Sequence, residues 1–263
     1  MTSIEPLLQV RSLGHRFPSV RGGPWAVCDA SFELFAGEVV AIVGESGSGK
    51  STLLNAIGAR LRPLAGQVLY RTAAGPWVDV HAAPERQRRE LARSEWGFVE
   101  QAAADGLRLN VSAGANIGER LMGRGDRHYG RLRATAADWM QRVELDPARI
   151  DDAPRAFSGG MRQRLQIARN LVTQPRLVLM DEPTSGLDVS VQARLLDLIR
   201  HLSQRLHLCA LIVTHDLGVA RLLAQRTLVM HEGRIVEQGL TDRVLDDPQH
   251  PYTQLLVSSV VAP

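Results

Sequence analysis

The stretch that most constrains this chain runs from Gly44 to Ser51 and reads GESGSGKS. It fits the pattern G-x-x-x-x-G-K-[ST] at every fixed position, between an apolar run (39–43) and a helical pattern (52–57). In that context the glycines let successive N–H groups point at phosphate oxygens, beside the positive end of the following helix. The alternative is a glycine-rich turn that binds nothing, and the complete pattern with both flanks argues against it.

Two side chains of this loop have predicted chemical roles. Lys50 is expected to reach the β- and γ-phosphates of a nucleotide, and Ser51 to ligate Mg²⁺. The residues of this segment expected to contact the nucleotide are Gly44, Glu45, Ser46, Gly47, Ser48, Gly49, Lys50, Ser51 and Thr52.

The bulk composition is that of an ordinary globular protein. The chain has 263 residues, a formal net charge of +3 and two cysteines. So mild a charge does not indicate nucleic-acid binding, and two distant cysteines form neither a disulfide framework nor a zinc site. The sequence has no signal-peptide pattern and no run of about 18 apolar residues, so we expect a cytoplasmic protein that does not itself insert into a membrane.

The spacing of hydrophobic residues along the chain predicts an α/β domain with two accessory parts. Short alternating segments at 8–13, 30–34 and 67–70 predict an antiparallel β-sheet beside the core. From 102 to 154 the period becomes helical.

This helical segment is predicted to be a subdomain inserted into a single domain spanning 1–263, between core segments 1–101 and 155–263. One of its helices is expected at 134–143. The arginines of the segment are expected to face water, with a partner surface as the alternative: Arg120, Arg124, Arg127, Arg131 and Arg133.

An acidic pair ends a predicted buried strand. Asp181 and Glu182 follow the apolar run 176–180, and in a parallel sheet such a strand end lies beside the phosphate loop. Asp181 therefore suits Mg²⁺, and Glu182 can polarise an attacking water.

Two more polar residues follow predicted strands. Gln101 could ligate Mg²⁺ and position water, or merely cap a loop, and the spacing does not choose between these roles. His215 can reach the γ-phosphate and hold Glu182 and water in register, although a lone histidine is more often structural.

A second glycine-rich helix start lies at 157–161. Like the first, it suits an anion. Two such helix starts from one chain have difficulty converging on one γ-phosphate. The sequence therefore predicts two copies arranged head to tail, each lending Ser158, Gly159, Gly160 and Met161 to the other's nucleotide.

Taken together, these motifs resemble the ATP-binding-cassette ATPases over nearly the whole chain. The loop 44–51, Gln101, the signature 158–163, Asp181-Glu182, the turn 185–188 and His215 occur in the family's order and spacing. The resemblance implies a P-loop NTPase fold with a RecA-like core, an antiparallel β-subdomain and a helical subdomain. It also implies ATP and Mg²⁺ as ligands, and a dimer.

The resemblance further implies individual roles. Glu182 would be the catalytic base, supported by His215 and Lys50, and Gln101 a ligand of Mg²⁺ and water. Phe17 would stack on adenine. From the sequence alone, Phe17 is as easily a core residue. Asp188 would lie near the nucleotide.

Within the family, several segments resemble ATP-binding subunits of phosphonate carbon–phosphorus lyase systems. These are 105–107, 111–122, 128–130, 150–152 and 241–248. That resemblance implies an ATPase acting on soluble lyase core subunits. The tail 250–256 resembles importers of peptides or nickel instead, so an importer ATPase, for phosphonate, peptide or nickel, is the alternative. A third possibility is a nucleotide-gated scaffold with negligible turnover.

Overall fold

The computed structural model describes residues 5–17 and 23–261. Its strands are β1 (Pro6–His15), β2 (Val27–Phe35), β3 (Val39–Val43), β4 (Ala65–Arg71), β5 (Trp77–Asp79), β6 (Trp96–Val99), β7 (Leu177–Asp181), β8 (Cys209–Val213), β9 (Arg226–His231) and β10 (Arg234–Leu240). Its α-helices are α1 (Lys50–Ile57), α2 (Glu85–Ser94), α3 (Ala113–Gly123), α4 (Tyr129–Arg142), α5 (Gly159–Leu171), α6 (Val189–Leu206), α7 (Leu217–Leu223), α8 (Thr241–Asp246) and α9 (Pro251–Val261).

A mixed sheet forms the centre of the described structure, with strand order β10-β9-β3-β8-β7-β6. The strands from β9 to β6 are parallel, and β10 pairs antiparallel with β9 at the edge. The middle strands are short apolar runs that are buried along nearly their whole length, as expected for a parallel sheet covered on both faces.

Side-chain alternation along β3 distributes its residues between two hydrophobic cores. Val40 and Ile42 pack on the side of α1 and the antiparallel strands, whereas Val39, Ala41 and Val43 pack with α5, α6 and α7 on the opposite face. Covering both faces fixes the register of β3 and so the position of the loop that follows it.

The predicted antiparallel sheet is confirmed. Its order is β2-β1-β4-β5, and it contains the three segments that the alternating pattern indicated. Residues that alternate inwards, such as Leu34, Val68 and Tyr70, are fully buried against the same face of the central sheet as α1.

Between β6 and α5 the chain is largely helical, as predicted. Helices α3 and α4 lie there and pack on each other and on α5. The division into a subdomain at 102–154 stays a prediction. Among the described helices, none is both long and apolar enough to cross a membrane.

Candidate active site

The polar residues predicted at strand ends meet in one open cleft. Because β3, β8, β7 and β6 are parallel neighbours, the segments that follow them emerge at the same edge of the sheet. The cleft has a volume of about 640 Å³, within the range of small-molecule sites. It is lined by Phe17, Ala26, Ser46, Gly47, Gly49, Lys50, Ser51, Thr52, Gln101, Glu182, Ser185 and His215.

The loop 44–51 depends on two of its glycines for its shape. Gly44 has φ +150° and Gly49 has φ +103°. A Cβ on Gly44 would overlap the carbonyl oxygen of Met230, and a Cβ on Gly49 that of Ala26. Only glycine therefore allows the backbone to adopt this conformation at such close approach.

Lys50 begins α1 and turns its ammonium back over the loop. Its Nζ donates hydrogen bonds to the carbonyl oxygens of Gly44 and Glu45, each at 2.7 Å. Burial lowers the pKa of Lys50, while the carboxylates of Glu182, Asp181 and Glu45 oppose that shift. The ammonium of Lys50 is thus held against the loop, where it can interact with the negative charge of bound phosphates.

Hard oxygen donors lie beside the lysine. Ser51 Oγ donates to Asp181 Oδ1 at 2.9 Å, joining the start of α1 to the end of β7. Burial raises the pKa of Asp181, and the neighbouring Glu182 adds to that shift, whereas the bond from Ser51 opposes it. A hydroxyl and a carboxylate at hydrogen-bond distance suit Mg²⁺, which prefers oxygen ligands and retains several waters.

Gln101 follows β6 and lies exposed at the rim of the cleft. Its Nε2 lies 3.4 Å from Ser185 Oγ, a long contact. The structure thus brings Gln101 to the same cleft as Ser51 and Asp181 without a strong partner among the described residues.

Glu182 and His215 form the tightest side-chain contact in the cleft: His215 Nδ1 lies 2.6 Å from Glu182 Oε2. Glu182 has φ +41°, in the left-handed region, and its N–H donates to the carbonyl of Val213 at 2.9 Å. This strained turn directs the carboxylate to the cleft, and a carboxylate so held can accept a proton from water.

Phe17 also lines the cleft, with half of its surface exposed. The buried ring of His15 packs edge-on against it, with centroids 5.1 Å apart. An exposed aromatic face supported in this way is suited to stacking on a flat heterocycle.

The predicted residues Ser158, Gly159, Gly160, Met161 and Asp188 do not line this cleft. Ser158 caps α5, accepting a hydrogen bond from the Met161 N–H at 3.3 Å. Gly160 presses on the side chain of Val191 in α6, where a Cβ would overlap it, whereas a Cβ on Gly159 would meet nothing closer than 3.6 Å. Packing within one chain therefore explains Gly160 but not Gly159.

Two contacts behind the loop were not anticipated. The Glu45 N–H donates to the Tyr252 hydroxyl at 3.0 Å, and the Gly233 N–H donates to the Ser48 carbonyl at 3.0 Å. Both partners lie far along the chain, and no local pattern connects them to the loop. Ala26 also lines the cleft without having been singled out, and Ser185 does so although it was noted only as part of the turn 185–188.

Comparison with known proteins agrees with this geometry. The ABC transporter family model matches residues 27–185, and a model of the C-terminal region of oligopeptide/dipeptide transporters matches 236–263. The chain is 62% identical to the phosphonates utilization ATP-binding protein PhnK of Escherichia coli, over 98% of both chains. It is 37% identical to a peptide import ATP-binding protein of Brucella ovis, over 98% of this chain and 80% of the relative.

A solved structure has the same fold. The ATP-binding cassette MJ0796, in a dimeric post-hydrolysis state bound to ADP and Pi, superposes with a TM-score of 0.79 at 27% identity, covering 89% of this chain and 98% of that one. With the phosphate loop, the acidic strand end and the histidine gathered in one cleft, and a family model matching more than half of its length, the chain belongs to the ABC transporter family of ATPases.

Proposed function

We propose that this chain is the ATPase subunit of a phosphonate-utilisation system and drives the soluble core subunits of a carbon–phosphorus lyase. The observation that carries the proposal is the 62% identity over 98% of both chains to a protein named for phosphonate utilization, against 37% for the peptide-import relative. The segments that resemble lyase-system subunits support the same branch.

The polar and aromatic residues predicted to act at the cleft have the following roles in this proposal. Lys50, already held over the loop, contacts the β- and γ-phosphates. Ser51, Asp181 and Gln101 hold Mg²⁺ with water, and the ion supplies charge neutralisation at the phosphates. Phe17 stacks on adenine. Catalysis is then mostly positioning and charge stabilisation.

Glu182 takes the proton of the attacking water, and His215 fixes its carboxylate. The 2.6 Å contact between these side chains supports this assignment, because a base must be held within reach of the proton it removes. In this arrangement His215 also faces the cleft, with 64% of its side chain exposed, so it can contact the γ-phosphate.

The second nucleotide contact comes from another copy of the chain. Ser158 and Gly159 are exposed at the start of α5, outside the cleft of their own molecule. A helix N-terminus that presents free N–H groups to solvent can close over phosphates bound elsewhere. The dimeric state described for MJ0796 supports a two-fold arrangement of this kind.

The proposal is tested by identifying the partner. Tagged protein carrying Glu182→Gln is isolated with ATP and Mg²⁺ from cells grown on an alkylphosphonate as phosphorus source, and co-isolated proteins are identified by mass spectrometry. We expect soluble lyase subunits, and their loss in the matched Lys50→Ala protein, whose Kd for the nucleotide is raised above the ATP concentration used in the isolation. Recovery with integral membrane proteins alone would overturn the lyase assignment.

An importer ATPase is the second candidate. The match of 236–263 to the C-terminal region of oligopeptide/dipeptide transporters favours it. In that case the same isolation from detergent-solubilised membranes yields a permease, and the lyase subunits are absent.

A further inference from the structure

One peptide unit of the phosphate loop is held at both ends. The carbonyl oxygen of Gly44 accepts a hydrogen bond from Lys50 Nζ at 2.7 Å, and the N–H of Glu45, on the other side of the same planar peptide, donates to the hydroxyl of Tyr252 at 3.0 Å. Rotating this plane would break both bonds together. The hydroxyl of Tyr252 is thereby linked to the ammonium of Lys50 through a single rigid group.

The backbone beside this peptide has little freedom to compensate. Gly44 is buried, at φ +150°, and presses on the carbonyl of Met230 at the end of β9. The loop can therefore not shift backwards to find another acceptor for the Glu45 N–H. Among the described residues, Tyr252 is the only acceptor recorded for that N–H.

Tyr252 is itself fixed from two directions. Its ring stacks on His231, with centroids 3.8 Å apart and planes 23° from parallel. The turn before α9 is held by Glu237, whose two carboxylate oxygens accept from the N–H groups of Gln249 and His250 at 2.9 and 3.0 Å. Tyr252 is 8% exposed as a whole residue, and the stacking and the held turn fix the position of its hydroxyl.

We infer that Tyr252 is a positioning residue for ATP binding and hydrolysis: its hydroxyl orients the Gly44–Glu45 peptide and, through that carbonyl, the ammonium of Lys50. The inference concerns the nucleotide site and is independent of the partner that the ATPase serves. Burial raises the pKa of Tyr252, opposed by the bond from Glu45, so the hydroxyl stays neutral at physiological pH.

The test is Tyr252→Phe, which keeps the ring and its stacking but removes the acceptor. We expect the Kd for a fluorescent ATP analogue with Mg²⁺ to rise about fivefold, the ratio that corresponds to one lost neutral hydrogen bond. In steady-state hydrolysis KM should rise more than kcat falls, because bound phosphates help to hold Lys50. The matched control is Tyr129→Phe, which removes an exposed hydroxyl on α4.

A double-mutant cycle separates positioning from packing. If Tyr252 acts through Lys50, Tyr252→Phe adds no further loss of affinity in a Lys50→Ala background. An undiminished effect in that background, or a Kd within twofold of wild type for Tyr252→Phe alone, would overturn the inference. A structural role only would lower the melting temperature and leave the Kd of the folded protein unchanged.

A second variant tests the same coupling if Tyr252→Phe folds poorly. Glu237→Gln weakens the turn before α9 without touching Tyr252 or the loop. We expect faster amide hydrogen exchange at Glu45 in this variant and a smaller rise in Kd. Unchanged exchange at Glu45 with α9 loosened would contradict the coupling.

Discussion

His215 Nδ1 lies 2.6 Å from Glu182 Oε2, and the two residues follow the neighbouring parallel strands β8 and β7. Their distance is therefore set by the spacing of the sheet rather than by a mobile loop. The proposed base and the residue proposed to hold it thus closely follow two hydrogen-bonded strands of the central sheet, an arrangement that limits errors of position.

Replacing Glu182 by Gln should leave ATP binding intact and reduce turnover by about 10²-fold or more, because the amide cannot accept a proton from water. Phosphate release under saturating ATP measures the loss, and analogue titration checks binding. Glu90→Gln, an exposed change on α2, serves as the matched control. Persistent full hydrolysis would reject Glu182 as the base.

The variant His215→Ala should lower kcat by about tenfold to a hundredfold, less than loss of the base, because Glu182 remains but is no longer fixed. KM for ATP should also rise if His215 contacts the γ-phosphate, since that contact exists in the ground state. The two constants are obtained from phosphate release at varied ATP. A kcat equal to that of wild type would contradict the role of His215.

Asp181→Asn should raise the melting temperature of the nucleotide-free protein at neutral pH while removing Mg²⁺-dependent hydrolysis. Because the folded-state pKa of Asp181 is raised, its ionisation opposes folding at pH values above that pKa, and the amide escapes this penalty. The gain should shrink as the pH falls through the raised pKa, since protonation then removes the same charge from the wild type. Calorimetry across this pH range tests the sign; a destabilised variant at neutral pH contradicts it.

Two adjacent glycines should respond differently to alanine. Gly160→Ala places a methyl group against Val191 and should cost about 1–3 kcal/mol of unfolding free energy. Gly159→Ala has room and should fold normally. If α5 closes over a partner's nucleotide, Gly159→Ala will nevertheless weaken ATP-induced dimerisation, measured by sedimentation with the Glu182→Gln background. Equal stability losses in both variants would contradict the packing argument.

The sequence could predict the central sheet and its loops because both depend on short-range rules. An apolar run followed by a polar residue marks the end of a buried strand, and parallel strands bring such ends together. Helix α6 (Val189–Leu206) begins directly after Asp188 and buries residues at helical spacing, and both signals are visible in the sequence. The roles of the cleft residues stay predictions.

Other features depend on partners far along the chain and could not be predicted from the local sequence. Helix α4 begins at Tyr129, five residues before the predicted Ala134, because His128 caps it and Gly130 is tolerated in the first turn.

The prediction that Arg120 faces water was wrong, because its guanidinium donates hydrogen bonds to the carbonyl oxygens of Ala92 and Trp96. Burial and the neighbouring Arg169 lower the pKa of Arg120 to about 10.

The close contact between Gly160 and the side chain of Val191 has a mechanical consequence. It joins the first turn of α5 to the first turn of α6, and α6 begins seven residues after Glu182. Under the proposed function, we expect a shift of the segment that follows Glu182 to move the exposed start of α5 as well. In the proposed head-to-tail dimer, the loss of phosphate from one site would then alter the contact that the same molecule makes at its partner's site.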